Sequence, residues 1–138
     1  MLSVSPYITF KGNCRQAIGF YQTALGAEVL FTQTVGESPM KDLGPAPNIM
    51  HCSMKVGDST IMMCDDAGPA AATRGGIISL AIGLNDPARA AQLFGKLADG
   101  GSVVMPLEKT YWAEAFGVVT DKFGITWMIN SAASQTVE

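Results

Sequence analysis

Residues 4–25, VSPYITFKGNCRQAIGFYQTAL, place a short strand-like segment directly before an amphipathic helix. Asn13 is predicted to cap a helix over Cys14–Leu25, with Gln16 in the capping-box position and Gly26 as the stop. The residues that recur at helical spacing predict its buried stripe: Cys14, Ala17, Ile18, Tyr21, Ala24 and Leu25. A strand that leads into a helix is therefore the first unit of the fold.

The same order occurs a second time, later in the chain. Asp86 is predicted to cap a second helix, with Pro87 at its first position and Gly100 and Gly101 at its end. The buried stripe of this helix is predicted from helical spacing to comprise Ala90, Ala91, Phe94, Leu97 and Ala98. The recurrence predicts an internal repeat with a period of roughly 70 residues.

The segments outside the helices are typical of strands, with tight turns between them. Gly57 and Asp58 are predicted to form a two-residue hairpin turn, and residues 121–124 a second turn. The predicted strands cover residues 4–10, 28–35, 49–56, 59–65, 76–84, 102–107, 115–120 and 125–130. We expect a single α+β domain over residues 1–138, with one βαβββ module in 1–66 and a second in 76–131.

Composition and charge exclude several classes of protein. The chain has 138 residues, 48% hydrophobic and 15% charged, which predicts a folded domain with a proper core. Its net charge is −3, without a basic cluster, so nucleic acid is not an expected partner. No apolar run approaches the roughly 20 residues of a membrane span. Three cysteines without a C-x-x-C spacing indicate free, buried thiols and a cytoplasmic protein.

Four short motifs resemble one known superfamily. They are PYITFKGNC (6–14), MHC (50–52), VGDS (56–59) and GVVTDKFG (117–124). With the repeated βαβββ order, the chain resembles the vicinal oxygen chelate superfamily of glyoxalases, bleomycin-resistance proteins and dioxygenases, in its PhnB-like branch. The resemblance implies a curled mixed sheet in each module, a cup that holds a small molecule, and a homodimer.

The resemblance also suggests where a metal would bind. Metal-dependent members place ligands on the first and last strands of each half, which correspond here to Pro6, Met62, Ile77 and Met128. None of these side chains is a good donor for a divalent metal, so we expect no metal and no other cofactor. Some PhnB-like chains carry a ubiquinone-methyltransferase label, but the sequence has no glycine-rich turn suited to a nucleotide-like methyl donor.

The hairpin turn predicts which side chains share the face of the cup. Ser53 is expected opposite Met62, and His51 opposite Cys64, because strand residues alternate between faces. The result is a mostly apolar pocket, as small-molecule sites usually are. The predicted ligand-binding residues are His51, Ser53, Met62, Cys64, Ile8, Phe10, Ser79, Trp112, Thr126, Met128 and Asn130.

His51 is the only histidine and hence the candidate general base or hydrogen-bonding group. The favoured interpretation is nevertheless a satisfied, partly buried strand histidine. Cys64 could face His51 as an activated thiol, but a free cysteine is more commonly a small buried apolar residue. The leading hypothesis is metal-free binding or sequestration of a small, largely apolar molecule. The alternative is a glyoxalase-related lyase or isomerase that uses His51, either without metal or with an atypical metal site. A third is an interaction protein whose cup is filled by methionine.

Overall fold

The computed structural model describes residues 4–65 and 78–132, which fall into two compact units. Each unit contains one α-helix and one open, four-stranded mixed sheet. The α+β class and the two βαβββ modules predicted from the sequence are therefore confirmed. Within the described ranges, neither helix has the length and apolar character needed to cross a bilayer.

The first unit follows the order strand, helix, three strands. Its elements are β1 (Tyr7–Phe10), α1 (Cys14–Leu25), β2 (Glu28–Thr34), β3 (Ile49–Val56) and β4 (Ser59–Asp65). In the sheet the order is β1-β4-β3-β2, with β1 parallel to β4 and the other pairs antiparallel. Gly57 opens the β3–β4 turn with a φ of 58°, a left-handed conformation that favours glycine. The predicted hairpin pairs Val56–Ser59 and Ser53–Met62 are present.

The second unit has the same topology. Its elements are β5 (Leu80–Leu84), α2 (Pro87–Ala98), β6 (Ser102–Glu108), β7 (Ala113–Thr120) and β8 (Thr126–Ala132), in the sheet order β5-β8-β7-β6. The predicted strand over 76–84 begins only at Leu80; residues 76 and 77 lie outside the described part of the chain. The first strand of the chain likewise begins later than predicted, at Tyr7. Pro6, which has no N–H to donate, contributes only its carbonyl, which accepts a bond from the N–H of Met62.

Helix α1 has the predicted bounds and buries all six residues of the predicted stripe. Its N-terminus differs from the prediction, because the Asn13 side chain makes no cap bond to the helix. The N–H of Cys14 instead donates to Oδ1 of Asp65, at 2.9 Å, and the N–H of Ile49 donates to Oδ2, at 2.8 Å. A carboxylate from the end of β4 thus caps the helix and ties it to the start of β3.

Helix α2 is capped as predicted, with the N–H of Arg89 donating to Oδ1 of Asp86 at 3.1 Å. Its buried stripe is narrower than predicted: the buried residues are Ala90, Leu93 and Leu97. Leu93 was missed, and the prediction that Ala91 is buried is wrong, since Ala91 is exposed. Phe94 and Ala98 are half-buried, and the ring of Phe94 packs close to Gly117 of the sheet.

Each helix covers one face of its own sheet. In the first unit the fully buried side chains include Tyr21, Cys52, Met54 and Met63. In the second unit they include Leu97, Val119 and Ile129. Along β7 and β8, buried residues alternate with half-buried ones, so the second face of that sheet is only partly covered. We call the face of each sheet opposite its helix the open face.

Candidate functional site

The open face of the first sheet presents a row of four side chains from all four strands. Tyr7 pairs with Met62, Met62 with Ser53, and Ser53 with Phe31. His51 lies two residues before Ser53 on β3 and therefore on the same face. Tyr7 and Phe31 are about half exposed, at 50% and 52%. The face is thus an accessible, partly aromatic surface.

Three polar side chains on this face form one hydrogen-bonded chain. The hydroxyl of Tyr7 lies 2.9 Å from Nδ1 of His51, and Nε2 of His51 lies 3.1 Å from Oγ of Ser53. The rings of Tyr7 and Phe31 lie on either side of the imidazole, with centroid distances of 5.6 and 6.1 Å. Both hydroxyls can donate or accept, so either neutral tautomer of His51 is compatible with both hydrogen bonds. The two end groups keep hydrogen-bonding capacity for a ligand.

Cys64 adjoins this chain, whereas the other two cysteines do not. Burial is the largest of the effects that raise the pKa of the Tyr7 phenol. The charge of Cys64 and a hydrogen bond with Cys64 raise that pKa further. Cys64 is half-buried, but Cys14 and Cys52 are fully buried. Burial raises the pKa of the Cys14 thiol and, less strongly, that of Cys52, and so keeps both thiols protonated and unreactive.

The open face of the second sheet is mainly apolar. Met128 pairs with Val118, and Asn130 pairs with Phe116. Oδ1 of Asn130 is buried without a hydrogen-bond partner, which is unusual for a native protein. Trp112 is 47% exposed and contacts the ring of Phe116 edge-on, with a centroid distance of 5.4 Å.

The matching registers of the two sheets show which residues are equivalent. Met62 and Met128 are equivalent, since Met62 lies between Tyr7 and Ser53 as Met128 lies between Ala81 and Val118. One row further on, the position of His51 corresponds to Phe116, and that of Cys64 corresponds to Asn130. Most counterparts on the second open face are therefore apolar. They are Ala81 for Tyr7, Phe116 for His51 and Val118 for Ser53, whereas Cys64 corresponds to the polar Asn130.

The structure divides the predicted ligand-binding residues into three groups. On the open faces lie His51, Ser53, Met62 and Cys64 in the first unit, and Thr126, Met128 and Asn130 in the second. Ser79 is exposed just before β5, and Trp112 lies just before β7.

The third group is a correction. The predicted placement of Ile8 and Phe10 on the open face is wrong, because Ile8 pairs with fully buried Met63 and Phe10 is 4% exposed. Both point towards α1, and Tyr7 takes their predicted place on the open face. Polar residues alternate with apolar ones from Tyr7 to Phe10, and that alternation could have shown the true register.

The positions inferred for a family-type metal site also shift. Pro6 lies before β1, and Ile77 is outside the described residues. The open-face neighbours of the two methionines are Tyr7 and Ala81. A phenol, two thioethers and a methyl group do not fit a divalent cation that prefers carboxylate or imidazole. Within residues 4–65 and 78–132, no three His, Cys, Asp or Glu side chains come together.

A surface hollow of about 520 Å³ lies at the N-terminus of α1. It is lined by Gly12, Arg15, Gln16, Pro47, Asn48 and Asp65. Both oxygens of Asp65 accept backbone N–H groups, and the guanidinium of Arg15 donates to the carbonyl of Pro47 at 3.0 Å. Its charged groups are therefore occupied with holding the chain together.

Two βαβββ modules, each with a helix on one sheet face and an open second face, define the class of paired-module α+β proteins. Consistent with this class, the model of the glyoxalase/bleomycin resistance protein/dioxygenase superfamily matches residues 5–129. The chain belongs to this superfamily, as the sequence motifs predicted.

Several relatives are similar over nearly the whole chain. Protein YjdN of Escherichia coli K12 is 35% identical over 148 residues, covering 99% of this chain and all of that protein. The crystal structure of PA1353 from Pseudomonas aeruginosa has a TM-score of 0.85 and 38% identity, over 96% of this chain and 98% of that one.

A more distant neighbour links the fold to the PhnB-like proteins. It is the structure of a PhnB protein from Bacillus cereus. It has a TM-score of 0.83 and 21% identity, over 95% of this chain and all of that one. At that identity the likeness shows a shared fold alone.

Proposed function

We propose that this protein binds a small organic molecule on the open face of its first sheet, without a metal. The observation that carries the proposal is the hydrogen-bonded chain Tyr7–His51–Ser53 on an accessible sheet face. Both end hydroxyls retain hydrogen-bonding capacity beyond their bonds to His51, and the exposed face leaves that capacity accessible to a ligand. A small ligand with one hydrogen-bonding group can use either end.

The side chains around the hydrogen-bonded series Tyr7–His51–Ser53 favour a ligand with an apolar or aromatic body. Phe31 and Tyr7 provide two rings beside the imidazole, and Met62 adds a flexible thioether between Tyr7 and Ser53. Methionine adapts to irregular apolar shapes and contacts aromatic rings favourably. On the second sheet, Met128, Asn130 and Trp112 are proposed to contact mainly apolar parts of ligands, with the unpartnered Oδ1 of Asn130 as the one polar acceptor among them.

A panel of small aromatic and aliphatic compounds, screened by thermal shift and followed by calorimetry, tests this function. We expect at least one compound to raise the Tm and His51→Ala to weaken its binding about tenfold, the loss of one hydrogen bond. Gln22→Ala is the matched control, since it alters an exposed residue of α1, on the other side of the sheet, and should leave Kd within about twofold. A panel that never raises the Tm, or equal binding by His51→Ala, contradicts the proposal.

A second candidate function is proton transfer by His51 in a lyase or isomerase reaction. What favours it is that both ring nitrogens are held by hydroxyl groups, which fixes the imidazole as a positioned base requires. If His51 is the base, His51→Ala should lower kcat by a factor of about 100 or more. A substrate turned over equally well by His51→Ala excludes this role.

We infer that the protein acts in the cytoplasm as a homodimer. Three free thiols support the compartment, since thiols stay reduced there. Exposed apolar residues on edge strand β6 support the dimer, with Val103, Val104 and Met105 at 50%, 57% and 49% exposure. Native mass spectrometry should give twice the chain mass of 14.5 kDa, and a monomer at micromolar concentration contradicts the dimer.

A further inference from the structure

Three side chains able to bind a soft metal ion lie next to one another on the open face of the first sheet. Met62 and Cys64 are two residues apart on β4, so both project from one face, roughly 7 Å apart along the strand. The register that pairs Cys52 with Met63, continued by one residue, sets His51 opposite Cys64. The face thus brings together a thioether, a thiol and an imidazole.

The hydroxyl of Tyr7 marks where two of these donors converge. It lies 2.9 Å from Nδ1 of His51, and a hydrogen bond with Cys64 contributes to the raised pKa of the Tyr7 phenol. Metal bonds to histidine nitrogen and cysteine sulfur are shorter than such contacts, roughly 2.0–2.3 Å for zinc, so an ion that replaces the hydroxyl draws His51 and Cys64 inward. Tyr7 is 50% exposed, so its ring can turn towards solvent once the ion replaces its bonds to His51 and Cys64.

Ser53 orients the imidazole for coordination through Nδ1. Its Oγ lies 3.1 Å from Nε2 of His51 and can accept the N–H of that nitrogen. This tautomer leaves the lone pair on Nδ1, which faces Tyr7. Histidines that bind metals commonly donate their other N–H to such a second partner, which fixes the ring.

We propose that His51, Cys64 and Met62 bind a soft monovalent cation, with Cu(I) as the ion that these donors match. Thiolate and thioether ligands select Cu(I), and imidazole suits copper as well. On binding, the Cys64 thiol releases its proton to solvent as the metal–sulfur bond forms, and the metal keeps its oxidation state. The set lacks the oxygen donors that Mg²⁺ and Ca²⁺ require. The copper site shares His51 and Met62 with the proposed organic-ligand site, so the ion and such a ligand would compete, but the copper proposal does not rest on that ligand.

Anaerobic titration with Cu(I), buffered by the chromophoric chelator bathocuproine disulfonate, tests the site directly. We expect one equivalent per chain, with Cys64→Ser weakening the affinity about 100-fold or more, and His51→Ala and Met62→Leu about 10-fold or more. Met40→Leu is the matched control, since Met40 is 52% exposed in the loop after β2, and it should change the affinity less than about twofold. Cys14 and Cys52 are fully buried and should not compete in the folded protein.

The outcomes separate this site from the proposed organic ligand site. Copper affinity unchanged in Cys64→Ser, more than one equivalent per chain, or equal binding of Zn²⁺ in direct competition overturns the proposal. Ultraviolet absorption from the copper–thiolate bond gives a second readout and should be absent in Cys64→Ser. Tyr7→Phe should keep Cu(I) binding while weakening an organic ligand that uses the phenol, so the two proposals fail independently.

Discussion

The carboxylate of Asp65 accepts hydrogen bonds from two backbone sites that are far apart in sequence. Oδ1 caps the first turn of α1 through Cys14, and Oδ2 receives the N–H of Ile49 at the start of β3. Negative charge at a helix N-terminus is also favoured by the helix dipole. One side chain at the end of β4 therefore fixes the helix and the neighbouring strand together.

Replacing this carboxylate should destabilise the protein. Asp65→Ala leaves two partly buried N–H groups without partners, and we expect the free energy of unfolding to fall by about 2–3 kcal/mol. Urea unfolding monitored by circular dichroism measures the change. Asp42→Ala, at an exposed position of the short 3₁₀ helix Lys41–Leu43, is the control and should stay within about 0.5 kcal/mol. A loss below that value in Asp65→Ala would show that water replaces the carboxylate.

The register of β1 against β4 decides which side chains lie on the open face of the first sheet, and an error of one residue changes its chemistry. Alignment of β1 on family positions placed Pro6, Ile8 and Phe10 there, whereas parallel pairing with β4 places Tyr7 there. Since side chains alternate, the same one-residue shift that turns Ile8 towards α1 brings the phenol of Tyr7 to His51. The sequence identified His51 and Ser53 because an adjacent hairpin turn fixes their register. It missed Tyr7 because β1 pairs with a strand about fifty residues away, so that no local turn specifies the pairing.

Two glycines show how position within an element decides the effect of adding a methyl group. Gly95 lies in the last turn of α2, and a Cβ there would meet nothing within 4 Å. Gly101 lies between α2 and β6, and a Cβ there would stand 2.1 Å from the carbonyl oxygen of Thr120. A methyl group at Gly95 stabilises the helix through its higher helix propensity, whereas the closely packed backbone before β6 leaves no room for a methyl group at Gly101.

Alanine substitutions at the two glycines should therefore act in opposite directions. Gly95→Ala should raise the free energy of unfolding by about 0.5–1 kcal/mol, through helix propensity. Gly101→Ala should lower it by about 3 kcal/mol or more, because a backbone oxygen cannot move aside cheaply. Thermal unfolding of the two variants beside the wild type measures both. A Gly101→Ala variant as stable as the wild type would mean that the entry to β6 can shift.

The β7–β8 turn depends on one buried aspartate. Asp121 is 3% exposed, and its Oδ1 accepts the N–H groups of Phe123 and Ile125 at 2.9 and 3.1 Å. Its Oδ2 accepts the indole N–H of Trp127, also at 2.9 Å. The sequence predicted a tight turn here but not the bond to Trp127, which depends on tertiary packing.

Asp121→Asn should destabilise the second unit, although the two side chains have nearly the same size. The amide nitrogen cannot accept a hydrogen bond, so at least one buried N–H loses its partner, and we expect a loss of about 2 kcal/mol. Denaturant unfolding followed by tryptophan fluorescence measures it. Asp58→Asn, at the exposed Gly57–Asp58 turn, provides the matched control and should be nearly neutral. Equal stability of the two variants would contradict the account of the turn.

Across the whole chain, the two units keep one topology but differ in surface chemistry. Matching registers place Met62 and Met128 at the same point of each sheet. Around that shared methionine, the first unit has Tyr7, His51 and Ser53. The order of strands and helices followed from sequence periodicity alone, because each helix must bury one stripe on a sheet. The difference between the open faces emerged only once the registers were known.

This difference predicts that function can be removed while the fold is kept. We expect the triple variant Tyr7→Ala, His51→Phe, Ser53→Val, which gives the first face the residues of the second, to retain the wild-type circular dichroism spectrum. The affinity for the ligand should fall by about 100-fold or more, since all three hydrogen-bonding side chains of the first open face are lost. Phe116→His in the second unit should create no new site, because Ala81 supplies no hydroxyl to hold the imidazole. A triple variant that binds ligand as well as the wild type would move the site away from the first sheet.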